Sequence, residues 1–291
     1  MITKNSAGNE PATKSASQEE HATEQPTIVY TVGPKGGVGK STVARLVIDG
    51  CKAAGRDVSI IQIDRAPTLP ELYEGITTTI VAPSAEDLRI DPLSAVRVFE
   101  PLDLAVSSIA LRKGVLVVDV GAGHNTGALL HFISRSRFDN YLGSHEVKAV
   151  ALAVTTADSS AMTQTASVIA DLEQVHPSAE IVPVLNAYGG SFRFIAGSPA
   201  RKCFAERIQP ALKGRRHLSL PAVAEGAWPL FEAVGMTFTE AMMVSEDELM
   251  ARLGLSRAVA VAVRADVADF LAEVWPRLGA VVGFDVEKAN G

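Results

Sequence analysis

Two rhythms of apolar residues run through the chain from residue 27 onward. Five short runs, TIVYTV (27–32), VSIIQI (58–63), VLVVDV (115–120), KAVALAV (148–154) and EIVPVL (180–185), are β-branched and apolar on both faces. That is the composition of strands buried in a parallel sheet. Between them, apolar side chains return at helical spacing. Val43, Leu46, Val47, Cys51 and Ala54 form one stripe, and Gly55 follows where a helix would end in left-handed backbone. Residues 160–175 read as a second helix and 246–279 as a C-terminal helical segment. Such alternation predicts right-handed crossovers and a doubly wound, mostly parallel α/β sheet with helices on both faces. Residues 1–26 depart from the pattern. They are rich in Ser, Ala, Thr, Glu and Gln and nearly devoid of large apolar side chains. A segment of that kind cannot offset its ordering entropy by burial, so a disordered tail is expected before a single domain spanning 27–291.

Composition narrows the class. The 291 residues are 47% hydrophobic and 21% charged, with ample length for a full core. A net charge of -6 rules out a molecule that binds nucleic acid over its whole surface; any such role needs a local basic patch. Cys51 and Cys203 lie far apart and outside any CxxC pair, which argues against a disulfide framework or a thiolate cluster and for a reducing compartment. No apolar run reaches the roughly 18 residues of a membrane span, and the N-terminus lacks a signal peptide's apolar stretch. The chain reads as cytoplasmic, without a membrane partner.

The first chemistry lies between the first strand and the first helix, in VGPKGGVGKST. Gly36, Gly37 and Gly39 permit backbone angles that turn successive N–H groups, that of Val38 among them, onto one anion. The helix that opens at Lys40 adds its positive dipole end. Lys40 supplies a mobile charge for β- and γ-phosphates, Ser41 a hydroxyl for Mg²⁺, and Thr42 a further phosphate contact. A GK[ST] sequence in a strand–loop–helix context is a P-loop. At the end of VLVVD, Asp119 sits where open α/β sheets bind ligands, and suits a hydrated Mg²⁺. Gly121 and Gly123 would let the loop after it respond to the γ-phosphate.

The string KGGVGKST resembles the deviant Walker A motif of the ParA/MinD superfamily, over roughly residues 27–240, with Pro34 in place of the usual first glycine. The resemblance implies a P-loop NTPase of the SIMIBI class that binds ATP or ADP with Mg²⁺. It also implies a homodimer that sandwiches two nucleotides, Lys35 reaching the partner's nucleotide in trans. Lys35, Lys40 and Asp64 then form the catalytic set, and Ser41, Asp64 and Asp119 the metal set. In that family a strand ends in Asp-x-Asp, the second Asp positioning the attacking water. Here IDRAP matches Asp64 to the first and puts Ala66 at the second. An alanine cannot orient water, and loss of such a group typically costs about 10²–10⁴ in rate. Slow hydrolysis is the expectation, with a substitute such as Glu71 or a partner's group as alternatives.

Further along, Asn186 after VPVL matches the family's adenine-reading position, although a turn-forming Asn before Tyr-Gly-Gly explains it too. Pro221 in LSLPAV matches a base-flanking position. RKCFAERIQPALKGRRH (201–217) carries Arg201, Lys202, Arg207, Lys213, Arg215 and Arg216 against one Glu. The family binds DNA non-specifically through such residues, and a solvated helix face is the plainer reading. The TFTEAM phrase near residue 237 resembles the TraL/StbB-like branch of conjugative plasmids. Plasmid partition or stability with a plasmid-encoded partner is thus one expectation, and a transfer protein with little hydrolysis another. A P-loop kinase or synthetase is a third, with its acceptor pocket between Leu69 and Leu111. One P-loop, unpaired cysteines and a C-terminus that is neither basic nor strongly amphipathic set aside the two-loop pump-like, iron-protein and MinD-like membrane branches.

Overall fold

All five runs expected as strands are strands in the computed structural model, which describes residues 25–224 and 226–286. The first half of the chain runs β1 (Thr27–Val32), α1 (Lys40–Ala53), β2 (Val58–Ile63), α2 (Leu69–Leu72), β3 (Thr77–Ile80), α3 (Ala85–Ile90), α4 (Ser94–Val98), α5 (Glu100–Arg112), β4 (Val115–Val120), α6 (Asn125–Ser136) and α7 (Phe138–Ser144). The second half runs β5 (Lys148–Thr155), α8 (Ser159–Val175), β6 (Glu180–Asn186), α9 (Pro199–Cys203), a π-helical turn (Phe204–Ile208), α10 (Gln209–Leu212), β7 (Leu218–Leu220), α11 (Ala227–Ala233), α12 (Phe238–Met243), α13 (Glu246–Leu253) and α14 (Arg257–Val282). The seven strands form one sheet in the order β3-β2-β4-β1-β5-β6-β7, every neighbouring pair parallel. This is a doubly wound α/β fold of the P-loop NTPase type, and β1 at its centre delivers the glycine-rich loop at the carboxyl edge where ligands bind.

Helices cover both faces. On one, Val43, Leu46 and Val47 of α1 pack with Phe231, Phe238, Leu271 and Val274 against the sheet. On the other, Phe99, Leu102, Phe132 and Phe138 pack against Ile28, Tyr30 and Val118. Burying each such side chain contributes about 1.5–3 kcal/mol, so the sheet is a rigid platform for the loops at its carboxyl edge. The TFTEAM phrase has a structural task on the first face. Thr237 and Glu240 form a capping box at the start of α12. The carboxylate of Asp49, on α1, accepts the N–H of Phe238 at 2.7 Å and the hydroxyl of Tyr73 at 2.9 Å. Burial pushes this carboxyl up to about 6, against the pull of its hydrogen bonds and of Arg45.

Three expectations need adjustment. The C-terminal helical segment is two helices, because Gly254 ends α13 in left-handed backbone (φ 65°) and α14 starts afresh after Ser256. β3 went unread as a strand, TTTI being short and polar at a sheet edge, and β7 was expected only through the likeness of LSLPAV to a strand end, since LSL spans three residues. The expected tail lies outside the described residues up to position 24, while Gln25 and Pro26 are tied in, their carbonyls accepting from Arg56 and from the Lys148 N–H. The two cysteines are free, Cys51 buried and Cys203 half-buried.

Candidate nucleotide-binding site

The loop after β1 carries two glycines in left-handed backbone, Gly37 (φ 73°) and Gly39 (φ 91°), the second being the residue that starts α1. Space as well as backbone angle requires glycine at 39, because a Cβ there would lie 2.3 Å from the Asn186 amide nitrogen. That amide donates to the Val38 carbonyl at 2.9 Å and its oxygen accepts the Tyr188 N–H at 3.1 Å. Asn186 therefore braces the loop and turns its own chain, with one amide hydrogen and one lone pair left over for a base.

Lys40 is buried on the first turn of α1, and its ammonium donates to the Lys35 carbonyl at 2.9 Å, curling the loop over itself. Burial lowers its pKa, partly countered by the charges of Asp119 and Asp64. Asp119, at the end of β4, is the hub of the site. One oxygen accepts from the Ser41 hydroxyl at 2.8 Å and from the Gln62 amide at 3.0 Å; the other accepts from the Thr31 hydroxyl at 2.8 Å. Burial raises its pKa, and the three donors and Lys40 oppose that rise. The set fits Mg²⁺ with a nucleotide. The Ser41 hydroxyl hydrogen is spent on Asp119, which leaves its oxygen lone pairs for a hard cation. Asp119 offers a carboxylate that suits the cation's hydration shell. Among the described residues no group of three or more His, Cys, Asp or Glu comes together.

Gln62 and Thr31 were not legible as site residues. Their signal was a polar side chain inside an otherwise apolar buried strand, VSIIQI and TIVYTV. Gln62 does more than hold Asp119. Its carbonyl oxygen accepts the N–H groups of Thr68 and Leu69, both at 2.9 Å. One buried amide thus links the Asp119 carboxylate to the segment from Asp64 to α2.

Asp64 is half-buried at the end of β2, and its carboxylate accepts the Ala66 N–H at 3.1 Å. The loop after β4 closes on it. A Cβ at Gly121 would lie 2.2 Å from an Asp64 oxygen and 2.7 Å from the Asn125 amide nitrogen, so Gly121 is required by proximity. Gly123 donates its N–H to the Pro34 carbonyl at 2.8 Å, joining this loop to the glycine-rich one. Ala66 is exposed, and Glu71 is exposed on α2 without an ion pair or hydrogen bond among the described residues.

Lys35 is treated differently from Lys40. It stands at the loop's tip, half-exposed, with its ammonium 2.5 Å from the carboxylate of Asp158. Asp158 also caps α8 by accepting the Ala161 N–H at 2.9 Å, and the Lys35 hydrogen bond holds its carboxyl below the usual range. In this conformation Lys35 serves its own chain.

A cleft of about 810 Å³ opens from Gly37, Gly39 and Thr42 toward Asn186, Tyr188 and Pro221, with Val43, Leu46, Trp228 and Phe270 beneath. Its apolar floor beside the glycine-rich loop suits a nucleobase and sugar. Pro221 stands on the wall of this cleft.

The basic stretch lies elsewhere. Arg201, Lys202, Arg207 and Lys213 are exposed around α9, the π-turn and α10. Arg215 pairs with Glu173, and Arg216 with Glu180 at 3.6 Å, each also donating to a helix carbonyl. Lys202 likewise lies 3.9 Å from Glu206, which leaves Arg201, Arg207 and Lys213 without an ion pair among the described residues.

No protein-family model matches this chain, and no curated protein does either. Solved structures do resemble it. A nucleotide-binding protein from Archaeoglobus fulgidus in complex with ADP is 16% identical, covers 74% of this chain and 88% of its own, and has a TM-score of 0.42. The septum site-determining protein MinD of Pyrococcus horikoshii, complexed with Mg-ADP, is 18% identical over 84% of this chain and 95% of its own, at 0.40. A plasmid partition protein from Borrelia burgdorferi is 13% identical over 67% and 89%, at 0.41. At such scores the functional reading rests on the geometry of the site itself. Among the described residues no helix is long and apolar enough to cross a membrane.

Proposed function

We propose that the chain binds ATP with Mg²⁺ and works as a dimerising, slowly hydrolysing switch of the ParA type in plasmid or DNA partition. The observation that carries the nucleotide reading is the 2.8 Å hydrogen bond from half-buried Ser41 to buried Asp119, beside a buried Lys40 at the N-terminus of α1. A lysine ammonium, a serine oxygen and a carboxylate meet there under left-handed glycines. Phosphate needs the first and the backbone, and Mg²⁺ needs the other two. When bound, Mg²⁺ would neutralise charge on the phosphates. The chain's own part is to orient them through Lys40 and the loop amides and to keep water out through Gln62 and the segment it holds.

The dimer reading rests on Lys35, whose ion pair is exposed and exchangeable, so that its ammonium is free to turn to a second molecule's nucleotide. Slow turnover rests on Ala66, which brings no group able to orient water. Titration with a fluorescent ATP analogue, followed by phosphate release, tests both parts. Wild type should bind micromolar nucleotide and turn over slowly, Lys40→Ala should lose at least about 10² in affinity, and Ala66→Asp should speed hydrolysis by about tenfold or more. Unchanged affinity in Lys40→Ala would remove the nucleotide reading; unchanged turnover in Ala66→Asp would remove the vacancy as the cause of slowness.

One observation favours a second reading, a P-loop kinase or synthetase. Arg65, Val81, Ala82, Pro83, Ile90 and Ser94 line a cleft of about 470 Å³ beyond the carboxyl ends of β2 and β3. Metabolite-dependent release of ADP would identify it as an acceptor site.

A further inference from the structure

Ala66 has no group able to orient the attacking water, and Glu71, one alternative, stands exposed on α2. The surroundings of Asp64 offer a different side chain. Asn125 opens α6 and is 5% exposed. Its amide nitrogen donates to the Ala122 carbonyl at 3.0 Å. A carbonyl only accepts, so this bond fixes which end of the amide is oxygen. That oxygen is shut from solvent and meets no donor among the described residues. The next residue, Thr126, is 2% exposed, its hydroxyl is unpartnered in the same way, and no side chain caps this end of α6. Leaving a buried acceptor unpaired costs about 1–3 kcal/mol, a cost that a bound ligand removes.

The topology puts Asn125 on the phosphate side of the site. β1 lies between β4 and β5, with β2 outside β4 and with β6 and β7 outside β5. The cleft that suits a base opens on the β6–β7 side, around Asn186 and Pro221. Asp64, Asp119 and Asn125 stand at or just after the ends of β2 and β4, on the other side of the glycine-rich loop. A nucleotide with its base in the cleft and its phosphates across that loop presents its terminal phosphate to this side. The loop after Asp119 is held there by its neighbours. Gly121 donates its N–H to the Ile63 carbonyl at 2.9 Å, and Gly123 donates to that of Pro34 at 2.8 Å. A Cβ on Gly36 would lie 3.6 Å from that of Ala122. A Cβ on Gly121 would lie 2.2 Å from an Asp64 oxygen and 2.7 Å from the Asn125 amide nitrogen, so amide and carboxylate border one gap.

We propose that Asn125 orients the water that attacks the terminal phosphate, the task for which Ala66 has no group. The inference rests on reading the site as one for ATP. The amide oxygen accepts one O–H of the water, which turns a lone pair of the water toward phosphorus. The water oxygen forms the new P–O bond as the bond from phosphorus to the β,γ-bridging oxygen breaks, its electron pair leaving on ADP. Of the water's two protons, one stays on the released phosphate and the other goes to solvent. An amide is too weak a base to take it. Asn125 therefore supplies orientation alone, as a glutamine amide does in small GTPases, and turnover stays below what a carboxylate would allow.

Asn125→Ala and Asn125→Ser test this. Serine favours helix starts, so it keeps α6 while its oxygen falls one bond short of the amide's. Single-turnover hydrolysis with Mg²⁺ is measured beside the affinities for ADP, for a non-hydrolysable ATP analogue and for ADP with aluminium fluoride, a mimic of the transferring phosphoryl group with its water in line. In both variants hydrolysis and aluminium fluoride affinity should each fall by about 10², while the affinities for ADP and the ATP analogue stay within about twofold. A group that acts only in the transition state moves the first two in step and spares the others. The inference is overturned if hydrolysis changes by less than about threefold, or if wild type binds ADP with aluminium fluoride no tighter than ADP alone. It is equally overturned if ADP affinity falls as far as the rest, which would make Asn125 a brace for the loop. A wild type that binds none of these nucleotides removes the ATP reading itself, and this inference with it.

Discussion

Lys40 and Lys35 are five residues apart in one loop and live under opposite physics. Lys40 is 6% exposed and enclosed by the carboxylates and backbone of the folded site. Lys35 keeps about a third of its side chain exposed, against a half-exposed Asp158. A hydrogen-bonded cluster such as buried Asp119, Gln62 and Thr31 with half-buried Ser41 is set when the chain folds and changes little with salt. An exposed ion pair is worth at most about 1 kcal/mol and is screened by ions, so a competing partner displaces it easily. The inner side of the loop thus suits permanent tasks, phosphate and cation binding. The outer side suits an exchangeable one, contact with a second molecule.

The contrast can be broken from the inside first. Asp119→Asn keeps the shape of the hub and removes its charge. It should erase the gain in nucleotide affinity that Mg²⁺ confers, by about 10² if that carboxylate serves the cation, with little change in magnesium-free affinity. Isothermal titration with and without Mg²⁺ reads this directly; an unchanged magnesium effect would move the cation elsewhere. Gln62→Leu should cost about 2 kcal/mol in urea unfolding, since it strands the buried Leu69 N–H, removes the acceptor of the part-buried Thr68 N–H and takes one bond from buried Asp119. It should also make the amides of residues 64–69 exchange faster. Stability lost without that local loosening would mean that Gln62 is merely core.

A titration supplies the next test. Asp49 has its pKa raised from 3.8 to about 6 by burial. A carboxyl raised on folding stabilises the native state below its unfolded pKa, and that contribution is lost as pH rises through the folded value. Taking wild type from pH 7 down to pH 5 should therefore gain about 1 kcal/mol from this group, and Asp49→Asn should flatten the profile in that window. Identical profiles would show that the α1–α12 junction does not titrate there. The smallest effect belongs to the outer pair. Asp158→Ser keeps Lys35 and an N-cap for α8, and should change unfolding free energy by well under about 1 kcal/mol, and less still in high salt.

Much of this was legible along the chain because it is local. The five long strands, α1 with its ending at Gly55, the glycine-rich loop and the Asp119 strand end each follow from residues within a few positions of one another. What escaped depends on neighbours distant in sequence. Gln62 and Thr31 become site residues only because β2 and β1 both flank β4 in the sheet. Asp158 matters because α8 starts beside the loop, and Asn186 turns out to brace Val38 across 148 residues. β3 and β7 carry too few residues for a periodicity to register. Arg215 and Arg216 read along the chain as phosphate contacts or a solvated face, and only the fold shows Glu173 and Glu180 beside them.

The central claim is that ATP joins two of these chains through Lys35. Light scattering of the full chain at micromolar concentration tests it with ATP and Mg²⁺ for wild type and Lys35→Ala. The account predicts a dimer for wild type and a monomer for Lys35→Ala, with both binding nucleotide. A wild-type chain that binds ATP and stays monomeric, or a Lys35→Ala chain that dimerises as well as wild type, would contradict it.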